Sequence, residues 1–227
     1  MQLYIGNKNY SSWSLRAWLL MTQTGIQFEE IKLRLGFDEN SDFKKTLAHV
    51  APSGRVPVLV DEGFAVWDTL AIAEYLAEKY PSKNLWPVQP LARARARSLC
   101  AEMHSGFGAL RSNCGMNIEA SMPEIGKRLM AEKPEVARDL GRIVQMWEKQ
   151  FDEHGGPFLF GAFSIADAFF APVCSRIVTY ALPVPSRVAA YIERIHALPS
   201  MQAWVREAKA EHDFIQDDEP YRTSRAV

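Results

Sequence analysis

The chain has 227 residues with 26 basic and 27 acidic side chains, and its formal net charge of −1 leaves no electrostatic footprint for nucleic acid or an anionic membrane surface. The length suits one large domain or two small ones, and the three scattered cysteines, Cys100, Cys114 and Cys174, read as buried thiols in a reducing compartment. No apolar run reaches membrane-spanning length and Met1 to Gly6 lacks a signal-peptide pattern, so a cytoplasmic protein is expected.

Leu3 to Ile5 reads as a strand, and Ser12 to Thr24 as a helix ended by Gly25. Phe28 to Leu33 alternates apolar and polar residues as a second strand, and Ser41 to Val50 contains a short helix. Val58-Leu59-Val60 and Phe64-Ala65-Val66 flank Asp61-Glu62-Gly63 as a β-hairpin, and Asp68 to Lys79 forms a helix with Leu70, Ile72, Ala73 and Leu76 at apolar positions. This order predicts an α/β unit with a mixed sheet. Tyr80 to Pro90 holds three prolines without periodicity and marks a linker.

Beyond the linker the periodicity is helical only. Leu99, Met103, Phe107 and Leu110 share one face, as do Val136, Leu140, Ile143, Val144, Trp147 and Phe151. Ser164-Ile165-Ala166-Asp167 has the form of a capping box, with Asp in place of Glu, before an almost wholly apolar helix to Val178 that belongs at the centre of a bundle. Two more helices follow, around Ser186 to Ala197 and Ser200 to Ala210. The expected division is an α/β unit at 1–81, a linker at 82–90, an all-helical domain at 91–210 and a polar tail at 211–227.

The chain has no P-loop, no nucleophile elbow and no closely spaced His/Cys pairs, so no metal is expected. Three local features converge instead. The hydroxyl cluster Ser11-Ser12-Trp13-Ser14 sits where a strand passes into a helix, where free N–H groups and the helix dipole favour an anion, including a thiolate; an ordinary serine N-cap is the plainer reading. Pro57 stands at the start of an apolar strand, either as a simple edge residue or in a cis Val56-Pro57 bond that leaves the Val56 N–H and C=O free for an extended peptide. Asp68-Thr69 opens the next helix, as a plain cap or as a pair that holds a ligand ammonium on Asp68 and its carboxylate on Thr69. Together they describe an elongated site for a small peptide with a thiol near Ser11.

The order Ser-Ser-x-Ser-x-Arg, Gly-Arg-Val-Pro-Val-Leu, Asp-Thr-Leu-Ala-Ile-x-x-Tyr-Leu and Ser-x-Ala-Asp resembles the cytosolic glutathione S-transferases over nearly the whole chain to about residue 210. The resemblance implies a thioredoxin-like N-terminal domain, an all-α helical-bundle C-terminal domain and a homodimer, and is nearest to the serine-type zeta and theta groups and their bacterial relatives. It implies glutathione as co-substrate, Ser11 as the catalytic serine five positions before Arg16, with Ser12 as runner-up, and glutathione contacts from Arg55, Val56, Asp68 and Thr69. Lys44 and Lys45 stand as further candidates for the glycyl carboxylate, or as an ordinary solvated face.

Trp13 replaces the cysteine of the zeta motif. Its indole either reshapes the electrophile pocket, which argues against maleylacetoacetate-type isomerisation, or packs the domain interface. Trp13, His104, Phe107 and Arg111 are the candidate pocket residues, at a spacing that also suits a core stripe with polar flanks. The implied activity is transfer of glutathione to a small electrophile in detoxification. Its alternatives are a glutathione-dependent isomerase, peroxidase or dehalogenase, or a non-catalytic binding protein of the same fold.

Overall fold

The computed structural model describes residues 1–225. Four strands, β1 (Gln2–Ile5), β2 (Glu29–Lys32), β3 (Val58–Asp61) and β4 (Phe64–Trp67), form one sheet in the order β2-β1-β3-β4. β1 runs parallel to β2 and antiparallel to β3, with Leu3 opposite Leu59 and Tyr4 opposite Val58. The two-residue period of a strand therefore sorts the apolar side chains. Leu3, Ile5 and Leu59 face α1 (Ser12–Gln23) and α3 (Thr69–Lys79), while Tyr4, Val58 and Val60 pack on the side of α2 (Asp42–Val50). The mixed sheet and flanking helices match the expected thioredoxin-like arrangement.

After a 3₁₀ turn at Pro81–Lys83 the chain is helical: α4 (Pro90–Ser105), α5 (Gly108–Asn113), α6 (Pro123–Glu132), α7 (Pro134–His154), α8 (Ile165–Tyr180), α9 (Ser186–Ala197) and α10 (Pro199–Ala210). Among the described residues no helix is long and apolar enough to cross a membrane. Cys100, Cys114 and Cys174 are free and buried. α6 is a further helix that the sequence did not predict; Gly126 lets it approach α8 so closely that a Cβ there would stand 1.8 Å from the Tyr180 carbonyl oxygen.

α8 is buried almost throughout, which is why its sequence is apolar on every side. Its start is the predicted capping box. The Asp167 carboxylate accepts from the Ser164 amide (2.9 Å) and hydroxyl (3.1 Å), the Leu159 amide (3.1 Å) and the Tyr191 hydroxyl (3.0 Å). Burial pushes this carboxyl up to about 6, against the pull of its donors.

The expected tail at 211–227 is corrected by the structure as far as residue 225. Glu211 accepts from the backbone amides of Lys8 (2.8 Å) and Asn9 (3.3 Å), and Glu219 accepts from the Tyr10 hydroxyl (2.7 Å) and the Asn117 side-chain Nδ2 (2.9 Å). Ile215 is buried with Tyr10, Phe43 and Leu47. The acids of this segment satisfy donors of the loop before α1, so a polar, aperiodic stretch is a docked strap. Residues 226 and 227 of the expected tail lie outside the described residues.

Removing the Asp167 carboxylate orphans several buried donors at once. Asp167→Ala is expected to lower the unfolding free energy by about 3 kcal/mol in urea denaturation. A loss below about 1 kcal/mol would show that the capping box is not holding α8.

Candidate functional site

α1 begins directly behind the loop 6–10, and its first turn forms one wall of a cleft. Ser11 is the N-cap residue, yet its side chain makes no capping bond. Its hydroxyl instead donates to Ser14 Oγ (2.7 Å), which also accepts from the Gly6 amide (3.1 Å). The Trp13 and Ser14 amides have no acceptor among the described residues, as expected of a first helical turn. The junction thus presents a hydroxyl and unspent N–H groups to the same space. Ser12 differs: its Oγ accepts from Arg176 Nη2 at 3.2 Å.

A cavity of ≈ 700 Å³ is lined by Ser11, Ser12, Trp13, Lys44, Arg55, Val56, Arg111 and Arg176, among others. A second, of ≈ 650 Å³, is lined by Trp13, Arg55, Val56, Asp68, Thr69, His104 and Arg111. They share Trp13, Arg55, Val56 and Arg111, so they are the two ends of one cleft. The Val56-Pro57 peptide is cis, and neither the N–H nor the C=O of Val56 has a partner among the described residues. Lys44 reaches the cleft, whereas Lys45 is exposed and lines neither end.

At the far end Asp68 caps α3, accepting from the Leu70 amide at 3.0 Å, in a left-handed backbone conformation with φ of 73°. Its other oxygen is 3.3 Å from His104 Nε2 of α4. Thr69 is 2% exposed, and its Oγ1 is buried without any partner. An unpaired buried hydroxyl at a helix start, facing a cleft, is a polar group that lacks its acceptor or donor.

The four pocket candidates separate. Trp13 lines both ends, with His104 edge-on at 5.1 Å and the guanidinium carbons of Arg16 and Arg111 over its ring at 4.3 and 4.9 Å. Arg111 lines both ends too. His104 lines only the Asp68 end, beside Asp68 and against the Trp13 ring. Phe107 is corrected: it is buried in the core and lines neither end, because its left-handed conformation at the α4–α5 break turns the ring inward. Arg176 was missed. The signal was the one basic residue inside an apolar helix, since an arginine buried there requires a purpose.

Family comparison places these elements. The N-terminal domain of the glutathione S-transferases matches residues 10–79, and the C-terminal domain matches residues 130–207. The chain belongs to the glutathione S-transferase family. The chain is similar to the maleylacetoacetate isomerase of Pseudomonas aeruginosa, at 35% identity over 119 residues, 52% of this chain and 55% of the relative. It thus spans about half the length of the isomerases it matches. A stringent starvation protein A homolog from Coxiella burnetii is 27% identical over 73% of this chain and 75% of its own. Among solved structures, a Burkholderia glutathione transferase homolog with bound glutathione has a TM-score of 0.63 at 28% identity, covering 92% of this chain and 97% of that one. A Methylococcus capsulatus glutathione transferase has the same fold, with a TM-score of 0.68 at 23% identity over 92% and 98% of the two chains.

The electrostatics of the Asp68 end make a direct prediction. Partial burial holds the His104 imidazole below its ordinary value, against the Asp68 charge, which raises it. Asp68→Asn removes that charge, so the His104 pKa followed by NMR is expected to fall further. An unchanged or higher value would mean that the two side chains do not interact.

Proposed function

We propose that this chain is a glutathione transferase that binds glutathione along the cleft, activates its thiol as thiolate and adds the sulfur to a small electrophile. The observation that carries this reading is the alignment, in one cleft, of an unpaired buried Thr69 hydroxyl, an unpartnered Val56 backbone and the Ser11 hydroxyl. Those groups match a zwitterionic end, an extended peptide and a sulfur in that order. The glutathione bound to the Burkholderia homolog supports the ligand. In this reading residues 1–81 supply most of the peptide site, and 91–210 close the electrophile side. The working unit is a cytoplasmic homodimer.

Thr69 donates to the γ-glutamyl carboxylate and Asp68 accepts from the ammonium. Val56 pairs with the cysteinyl residue through its N–H and C=O, and Arg55 with Lys44 takes the glycyl carboxylate. A free thiol titrates at about 8.5, so at neutral pH most of it is protonated. As the S–H proton passes to solvent, the Ser11 hydroxyl turns from Ser14 and donates to the sulfur. The Ser14 hydroxyl proton then turns to Ser11 Oγ, while the Gly6 N–H keeps Ser14 in place. Such a chain of donors is cooperative, each bond polarising the next. With the N–H groups and dipole of α1 it favours the thiolate.

A hydrogen bond to a charged group contributes about 1.5–3 kcal/mol, roughly tenfold to a hundredfold in rate. Ser11→Ala is expected to lower kcat/KM for conjugation of chlorodinitrobenzene by that factor and to leave glutathione affinity, measured by calorimetry, nearly unchanged. A full rate in this variant, with the loss appearing in Ser12→Ala, would transfer the role to Ser12. Thr69→Val is expected to do the opposite, weakening glutathione binding about tenfold, by the same hydrogen-bond energy. Undiminished affinity would remove Thr69 from the site.

A further inference from the structure

Three arginines converge beside Ser12 and Trp13, and among the described residues none of them has a carboxylate within ion-pair distance. Arg16, on α1, is 3% exposed, with Nε and Nη1 buried and unpartnered; it is satisfied only by the rings of Trp13 and Phe169, 4.3 and 4.8 Å away. Arg111, on α5, spends Nη1 on the carbonyls of His104 (3.1 Å) and Gly106 (3.2 Å), which leaves Nε and Nη2 without a protein acceptor. Arg176, on α8, is 5% exposed and spends Nε on the Cys114 carbonyl (2.8 Å) and Nη2 on Ser12 Oγ, which leaves Nη1 unspent.

Buried charges in proteins are normally paired, because desolvation alone costs several kcal/mol per ion by a rough estimate. Here Arg16 and Arg176 are buried and Arg111 is half-buried, and like charges stand together in place of ion pairs. Burial holds Arg16 down at about 9, with the charges of Arg176 and Arg111 lowering it further, and holds Arg176 down at about 10, with the charge of Arg111 lowering it further. The single carboxylate lining this cavity among the described residues, Asp218, does not reach them; its Oδ2 is buried and unpartnered. A cluster built at that cost lacks its anion.

Glutathione does not supply it in the reading above. Its two carboxylates go to Thr69 and to Arg55 with Lys44, and Arg176 lines only the Ser11 end of the cleft. We propose that the second substrate is an organic carboxylate, gripped by the free N–H groups of Arg111 and Arg176 so that its reacting carbon meets the sulfur at Ser11. The planar guanidinium fork suits a carboxylate, and Trp13, Phe37 and Met116 give the remainder of the molecule an apolar wall. The proposal rests on the transferase reading and narrows it to one class of electrophile. In a representative reaction the thiolate attacks the chlorine-bearing carbon of chlorodinitrobenzoate. A C–S bond forms, chloride leaves with the C–Cl electron pair, and the ring carboxylate is unaltered.

The test compares chlorodinitrobenzoate with its methyl ester, each rate corrected for the uncatalysed reaction with glutathione. The full-length protein is expected to prefer the acid by about tenfold or more in kcat/KM, and Arg111→Gln to reduce that preference about tenfold. Benzoate, but not benzamide, is expected to compete with the electrophile and not with glutathione. Because Arg176 is buried, Arg176→Gln is read only alongside its circular dichroism and melting curve, and Arg111→Gln carries the test. Equal turnover of acid and ester, unmoved by Arg111→Gln, would overturn the proposal and leave the transferase reading intact. An equal loss on both electrophiles, with a raised pKa of the bound thiol, would overturn it by assigning the arginines to the sulfur. Glutathione binding with no conjugation of either compound would also overturn it, and absence of glutathione binding would overturn the transferase reading itself.

Discussion

Helix α1 is held from every side, and the site inherits its position from that fact. Ser14 to Met21 are all buried, with the sheet and α3 on one side and α8 and α10 on the other. A helix buried around its whole circumference cannot rotate or slide without opening the core. Its first turn is therefore a fixed platform for Ser11, Ser12 and Trp13. The loop before it is equally tied. Lys8 is buried between Glu30 and Glu207 and lies over the rings of Trp18 and Trp204, while Trp204 donates to the Lys8 carbonyl at 2.9 Å. The acids of the strap at 211–219 take up the amides of the same loop.

This rigidity matters because the proposed chemistry is positioning rather than covalent work. A hydroxyl that favours a thiolate must meet it at hydrogen-bond distance with little reorganisation at the moment of reaction. The Gly6–Ser14–Ser11 chain holds the Ser11 oxygen in place, so that only hydroxyl protons turn. The charges are placed in the same way. Arg55 and Arg111 line both ends; the Asp68 end adds an acid beside an unpaired hydroxyl, whereas the Ser11 end adds Lys44 and Arg176, with Asp218 the one acid among its described lining residues. A zwitterionic peptide whose sulfur becomes anionic fits that gradient in one orientation.

Most of the fold was legible because its elements are amphipathic and locally punctuated. The strand pattern of Leu3 to Ile5, the turn at Asp61 to Gly63 and the capping box at Ser164 each identify one structure by short-range chemistry. The residues gathered in the cleft were legible for a related reason: Ser11, Val56, Asp68 and Thr69 all lie at ends of elements, where sequence signals are strongest. What sequence could not resolve depended on long-range partners. His104 and Phe107 stand at a spacing that suits one helical face, but the break between α4 and α5 turns Phe107 into the core while His104, still on α4, meets Asp68. The strap carries no periodicity, since its acids answer amides some two hundred residues away, such as that of Lys8 to Glu211. Arg176 was hidden by its neighbours, an ionic residue in a helix whose apolar pattern described the core and not the cleft.

The central claim is that this cleft lowers the pKa of a bound glutathione thiol. Its most direct test is the ultraviolet absorbance of the thiolate in the protein–glutathione complex, titrated with pH. The account predicts an apparent pKa at least about one unit below the free value of about 8.5, since one unit is about 1.4 kcal/mol and a single charged hydrogen bond exceeds that. A bound thiol that titrates at its free value would contradict it.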